Sequence, residues 1–249
     1  EENGRWEPGA METEATAVGD TFELNGVKSF VLDGHTAQQI LVMARDPGTS
    51  GNDGLSLFLT SSDTAGLQRR LLKSMDATRK LARLEFKGVK ATLLGEQGAA
   101  ATTFAKTLDL AVACLANEMV GGAEALREQA LDYAQMRMQF GRAISSFQTM
   151  KHKQADMLID VELAKSAAYY AAAAADEESD ELPAVASLAK AGASEAYLQT
   201  AIHTIQIHGG IGFTWDNDTH LWFKRAKSSQ VFLGDANFHR ERMLQCWKD

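Results

Sequence analysis

Arg137 is followed by Gln139, Phe140 and Arg142, and then by Phe147-Gln148, a run that mixes one kind of cation with amides and flat apolar rings. A guanidinium in such a place has two uses. It can grip a phosphate or carboxylate through charge-assisted hydrogen bonds, or it can cap the last carbonyls of a helix. Farther on, Gln206-Ile207-His208-Gly209-Gly210 puts an amide just ahead of two glycines. Such a pair either stops a helix or, lacking side chains, lets backbone N–H groups come close to an anion. Asp235 and Glu118 are the acids considered as a general base. His203, His208 and His220 share no metal-ligand spacing with acidic partners, so no metal site is expected.

Two kinds of element have to position these residues. From residue 21 to about 89, short apolar runs alternate with turn signals: 21–24, 27–32, 39–44, 55–59, 66–72 and 82–86. The pattern predicts a small antiparallel β-barrel or sandwich. Asn25-Gly26 between two such runs predicts a type I′ hairpin, and 46–54 an exposed loop. After residue 100 the period becomes helical. Helices are expected over about 103–138, 146–175, 183–208 and 218–231. In the second, Phe147, Met150, Met157, Val161 and Ala164 share one stripe. The acidic run 176–180 reads as a solvated link, and Pro183 as a first-turn proline. The fold class is therefore α+β: residues 1–100 form the β-domain and 101–249 an antiparallel four-helix bundle.

The 249 residues are 45% hydrophobic and 23% charged, enough for a sizeable core. A formal net charge of -8 repels polyanions and argues against nucleic-acid binding, so an anionic ligand needs a local basic pocket. Cys114 and Cys246 make no disulfide framework, which fits a reducing cytoplasm. The longest apolar stretches are broken by charge, and no membrane span is expected. The abrupt start at Glu1, without an initiator methionine, reads as part of a longer protein.

Three segments, taken together in this order, carry a family resemblance: Arg137-Met138-Gln139-Phe140-Gly141-Arg142 with Phe147-Gln148; Gln206 through the Gly209-Gly210 turn to Phe213; and Phe223-Lys224-Arg225-Ala226-Lys227 leading to Phe232-Leu233-Gly234-Asp235. With Leu24-Asn25-Gly26-Val27-Lys28-Ser29-Phe30, and with Glu1 or Glu2 standing near the start, the chain resembles the middle and C-terminal domains of acyl-CoA dehydrogenases, without the N-terminal helical domain. The resemblance implies FAD as cofactor and an acyl-CoA thioester as substrate. It implies that Gln148 and Gln206 bond the ADP part of FAD, and that Arg137 and Phe140 reach the FAD of a neighbouring subunit. It extends the cofactor set to Gln139, Phe147, Gly209, Gly210, Phe30, Leu32, Asp235 and Asn237. Electron-transfer flavoprotein and a homo- or heterotetramer, a dimer of dimers, are the implied partners.

Dehydrogenation of a thioester needs a carboxylate to take the α-proton. Where the resemblance expects that glutamate stands Leu233, and its alternative position on the first long helix is Leu115. Asp235 and Glu118 are the nearby substitutes, and Leu32 takes the place of a hydroxyl that would meet the flavin. Two readings follow: an enzyme using one of these acids, or a non-catalytic flavin-site subunit of a heteromer. An oxidase on the same scaffold is a third.

Overall fold

The structure is a computed structural model, and it describes residues 1–247. The chain divides into two compact units, Glu1–Thr107 and a second one beginning at Leu108.

In the first unit β1 (Glu14–Val18), β2 (Thr21–Leu32), β3 (Gln39–Arg45), β4 (Leu55–Ser61) and β6 (Leu81–Leu94) close into a ring, and β5 (Leu67–Leu71) pairs on β6 beside it. Neighbours are antiparallel except β1 and β3, which meet in parallel at Glu14 and Arg45. Side chains alternate across each strand. Leu24, Val42, Phe58, Leu84, Phe86 and Val89 point inward and make the core. On β6 the buried positions run 82, 84 and 86 and then 89 and 91, a change of parity across Gly88.

That change of parity corrects the expected hairpin. Asn25-Gly26 lies inside the continuous strand β2, not at a turn. The pairing slips between Leu24 opposite Val89 and Asn25 opposite Lys87, leaving Gly88 as a bulge. The Asn25 amide oxygen accepts the Gly88 N–H at 2.8 Å. Gly26 is required by close approach, since a β-carbon there would stand 2.7 Å from the Thr13 hydroxyl oxygen. The true two-residue hairpin loop is Gly19-Asp20, between Val18 and its partner Thr21. The 46–54 loop is held at its root by Arg45, whose guanidinium donates to the carbonyls of Gly9, Met11 and Gly51.

Long helices follow: α1 (Ala100–Met136), α2 (Gln148–Asp176) and α3 (Leu182–His208), then the shorter α4 (Thr219–Val231) and α5 (Ala236–Cys246). Alanine stripes such as Ala116 and Ala123, Ala164, Ala168 and Ala171, and Ala186, Ala189 and Ala193 let backbones pack closely around Met119, Leu126 and Tyr197. On α2, Met157, Val161 and Ala164 are buried as their spacing predicts, while Phe147 precedes the helix. The acidic link is an exposed turn, and Pro183 falls in the first turn of α3. The α+β class holds.

Helix α5 was not anticipated, because only Ala236 and His239 of it are buried and it shows no apolar stripe. It is held by polar contacts: Arg242 pairs with buried Asp109 of α1 at 2.6 Å and donates to the Pro183 carbonyl and Ser187 hydroxyl of α3. Among the described residues no helix is long and apolar enough to cross a membrane.

Candidate functional site

A cleft of about 770 Å³ lies in the helical unit where the end of α1, the start of α2 and the end of α3 meet. Arg137, Gln139, Phe140, Phe147, Gly209 and Gly210 all line it, together with Tyr133, Ile144, Thr149, Met150, Ile207, His208 and Ile211.

Each wall has a local cause. Beyond α1 the chain makes a minimal ribbon, β7 (Met138–Gln139) against β8 (Arg142–Ala143), and its two loop residues Phe140 and Gly141 have φ of 55° and 75°. Positive φ at both positions is the signature of the hairpin turn. For phenylalanine it is strained by roughly 1–2 kcal/mol, and the ring it carries is 90% exposed. Phe147 meets Phe140 edge-on at 6.1 Å and has the Arg142 guanidinium 4.0 Å over its face. The Arg137 guanidinium makes no hydrogen bond or ion pair among the described residues, so its charge is uncommitted, while its backbone N–H bonds to the Tyr133 carbonyl at 2.9 Å. The Ile144 N–H bonds to the Arg137 carbonyl at 2.9 Å and fixes the segment.

On the facing wall α3 stops at Gly209, whose φ of 63° suits glycine, and a short 3-10 turn, Gly209–Phe213, follows. His208 is buried, with Nδ1 bonded to the Thr204 carbonyl at 2.8 Å, and it stacks on Tyr133 at 4.2 Å. It is a satisfied histidine forming a flat wall. Tyr133 gave no sequence signal beyond its helical position.

Other candidates lie elsewhere. Gln148 and Gln206 are exposed neighbours of lining residues but do not line the cleft. Phe30 and Leu32 belong to β2 of the other unit, half-exposed beside a second pairing slip, with Phe30 at φ 58°. Leu233 and Gly234, at φ 60° and 104°, form the turn between α4 and α5. Asp235 caps α5, accepting the Phe238 N–H at 2.8 Å, and Asn237 is exposed in the first turn. Glu118 takes the Arg225 Nε at 3.1 Å, and Leu115 is buried in the helical core.

The turn is held by two buried groups. Lys190 donates to the Gly234 carbonyl at 2.9 Å and the Gln230 carbonyl at 3.1 Å. His239 bonds the Leu233 carbonyl at 2.9 Å, and burial together with the nearby Lys190 charge pushes its pKa down to about 4. A lysine in an alanine-rich helix reads as a surface residue, so no sequence signal marked Lys190. At the start of the chain, the Glu1 carboxylate accepts from the Lys28 ammonium of β2 and from Thr13. Burial opposes its ionisation, but that cation and those hydrogen bonds hold its carboxyl below the ordinary value.

Residues 96–246 match the family model described as acyl-CoA dehydrogenase, C-terminal domain, and residues 1–89 the one described as acyl-CoA dehydrogenase, middle domain. The chain belongs to the acyl-CoA dehydrogenase family. Members of this family are flavoprotein oxidoreductases. The acyl-CoA dehydrogenase IpdE2 of Mycobacterium tuberculosis is 39% identical over 160 residues, covering 64% of this chain and 46% of its own length. The probable acyl-CoA dehydrogenase FadE25 of Mycobacterium tuberculosis is 30% identical over 240 residues, covering 93% of this chain and 61% of its own. The structure of butyryl-CoA dehydrogenase from Megasphaera elsdenii superposes with a TM-score of 0.91 at 29% identity, over 98% of this chain and 66% of that one. The chain thus spans about half to two-thirds of the acyl-CoA dehydrogenases it resembles.

Proposed function

We propose that the full-length protein is an FAD-dependent dehydrogenase of acyl-CoA thioesters and that this chain carries its cofactor-binding helical unit. The reading is carried by the meeting of Arg137, Phe140 and the Gly209-Gly210 turn in one cleft. These residues fit a dinucleotide: an uncommitted guanidinium suits its pyrophosphate, the strained exposed ring of Phe140 and the Phe147 face suit a flat heterocycle, and the glycine turn leaves open space beside the backbone. When bound, FAD supplies the hydride acceptor. Arg137 neutralises and orients the phosphates, the aromatic walls exclude water, and a carboxylate must hold the α-proton. Asp235 and Glu118 remain the proposed bases in this chain. Gln148 and Gln206 are proposed to reach the ADP portion from the rim, and Phe30, Leu32 and Asn237 to complete the flavin site in the oligomer.

A second reading is that the chain is a flavin-site subunit whose partner chain supplies the base. Three observations favour it: Leu233 occupies the turn where the glutamate is expected, Glu118 is paired with Arg225, and Asp235 is committed to capping α5. Under both readings the partners are acyl-CoA, electron-transfer flavoprotein and further subunits in a dimer of dimers. A cytoplasmic setting agrees with the two free cysteines.

The test is anaerobic flavin bleaching by a panel of acyl-CoA thioesters, using the full-length protein. Bleaching by the isolated chain that is lost in Asp235→Asn or Glu118→Gln supports the first reading and identifies the base. Bleaching only after a glutamate-bearing partner chain is added supports the second. A protein that retains no flavin in any assembly sinks both. In either reading Arg137→Ala weakens FAD binding roughly 10- to 100-fold, the worth of a well-formed charge-assisted contact.

A further inference from the structure

The turn between α4 and α5 is gripped by two buried titratable side chains from two different helices. Leu233 is at φ 60°, a conformation that leucine keeps only where its surroundings enforce it. Gly234 follows at φ 104°, and a β-carbon on it would stand 2.4 Å from the Phe238 ring. The carbonyls of these two consecutive residues are taken separately. Leu233 accepts from His239 Nε2 at 2.9 Å, and Gly234 from the Lys190 ammonium at 2.9 Å. A carbonyl only accepts, so Nε2 carries the hydrogen; Nδ1 is buried and has no protein partner among the described residues.

Lys190 is fully buried and also reaches the Gln230 carbonyl and the Ser194 hydroxyl at 3.1 Å. Burying an ammonium in an alanine-lined bundle opposes stability, and an apolar side chain of similar volume would pack there at lower desolvation cost. What methionine cannot do is hold several carbonyls, from the end of α4 and from the turn, at one point.

We infer that Lys190 and His239 are positioning residues: together they fix the Leu233–Gly234 turn, and with it the direction of the side chain at 233 and of the carboxylate at 235. The consequence for catalysis rests on the dehydrogenase reading, because that reading makes those two positions matter. The clamp itself does not rest on it.

The test compares His239→Leu with His239→Gln in the full-length protein. Glutamine keeps an N–H donor for the Leu233 carbonyl, and leucine does not. By hydrogen exchange, His239→Leu is expected to open the amides of residues 232–236 about 10- to 100-fold more often, with α1 and α2 core amides changed by less than about 3-fold. His239→Gln restores protection, and Lys190→Met repeats the local loss. Equal loosening of every helix, or identical exchange in the leucine and glutamine variants, overturns the inference. In flavin reduction by acyl-CoA, assayed in the assembly that shows it, His239→Leu lowers kcat with KM unchanged and His239→Gln recovers it. A proportional change in KM instead overturns the catalytic consequence. If no assembly reduces its flavin, the dehydrogenase reading fails, and the exchange comparison still decides the clamp.

Discussion

The ring of Tyr197 on α3 lies against the backbone of Gly122 on α1, where a β-carbon would stand 2.6 Å from the ring's Cζ. Tyr197 is 2% exposed, so the ring has little room to withdraw. An alanine in place of a helical glycine ordinarily gains about 1 kcal/mol, but overpacking a core loses about 1–3 kcal/mol. Gly122→Ala is therefore expected to lower stability by up to about 2 kcal/mol. The adjacent Gly121→Ala, whose β-carbon meets nothing within 4 Å, should raise it. Urea unfolding of the pair measures the difference, and a Gly122→Ala protein as stable as Gly121→Ala contradicts the packing.

Arg45 is the corresponding device of the barrel. It is 6% exposed, and its guanidinium serves three backbone carbonyls and the Thr49 hydroxyl. Arg45→Met leaves those carbonyls without donors and should cost about 3 kcal/mol at roughly 1 kcal/mol each. Arg45→Lys should recover less than half, since one ammonium cannot match the fork. Exchange of the amides in 46–54 reports the loss, and unchanged protection in Arg45→Met rules it out.

His239 makes stability depend on pH in a defined window. Its folded pKa is about 4 against an ordinary 6.5, so between those values the unfolded chain binds a proton that the folded chain refuses. Stability falls as pH drops from 6.5 towards 4, by up to roughly 3 kcal/mol from this group, and is unaffected by it above 6.5. His239→Gln removes the group, so its stability-pH curve should be shallower than that of the unaltered protein across the window. Parallel curves would show that His239 is not the group responsible.

Phe140 separates stability from binding. Its positive φ is a strain that glycine does not feel, so Phe140→Gly should stabilise the ribbon by about 1 kcal/mol. The same change removes an exposed ring at the mouth of the cleft and should weaken FAD retention several-fold. Thermal unfolding of the apoprotein and flavin titration give the two values. A fall in both stability and affinity contradicts the account of the strain.

The cleft was largely legible because its signals are local. Arg137 and Gly209 lie at helix ends and Phe140 in a two-residue hairpin loop, where residue type and backbone conformation are coupled over a few residues. Asn25-Gly26 misled for the complementary reason. Its role depends on Thr13 and Gly88, which are distant in sequence, and the same dipeptide serves a bulge when such neighbours are present. The sequence offers Asp235 as a candidate base and not as a helix cap because α5, which it caps, has almost no apolar periodicity.

By itself the sequence determined the change from period-two to helical patterning, the helix stops, and the residue types at the cleft, because these depend on contacts within one or two turns of chain. Only the tertiary structure decided that the strands close into a ring, that Lys190 is inside the bundle rather than on its surface, and that Glu118 is occupied by Arg225. The reason is physical: whether a charge is solvated or enclosed depends on which distant segments surround it, and no local pattern carries that information.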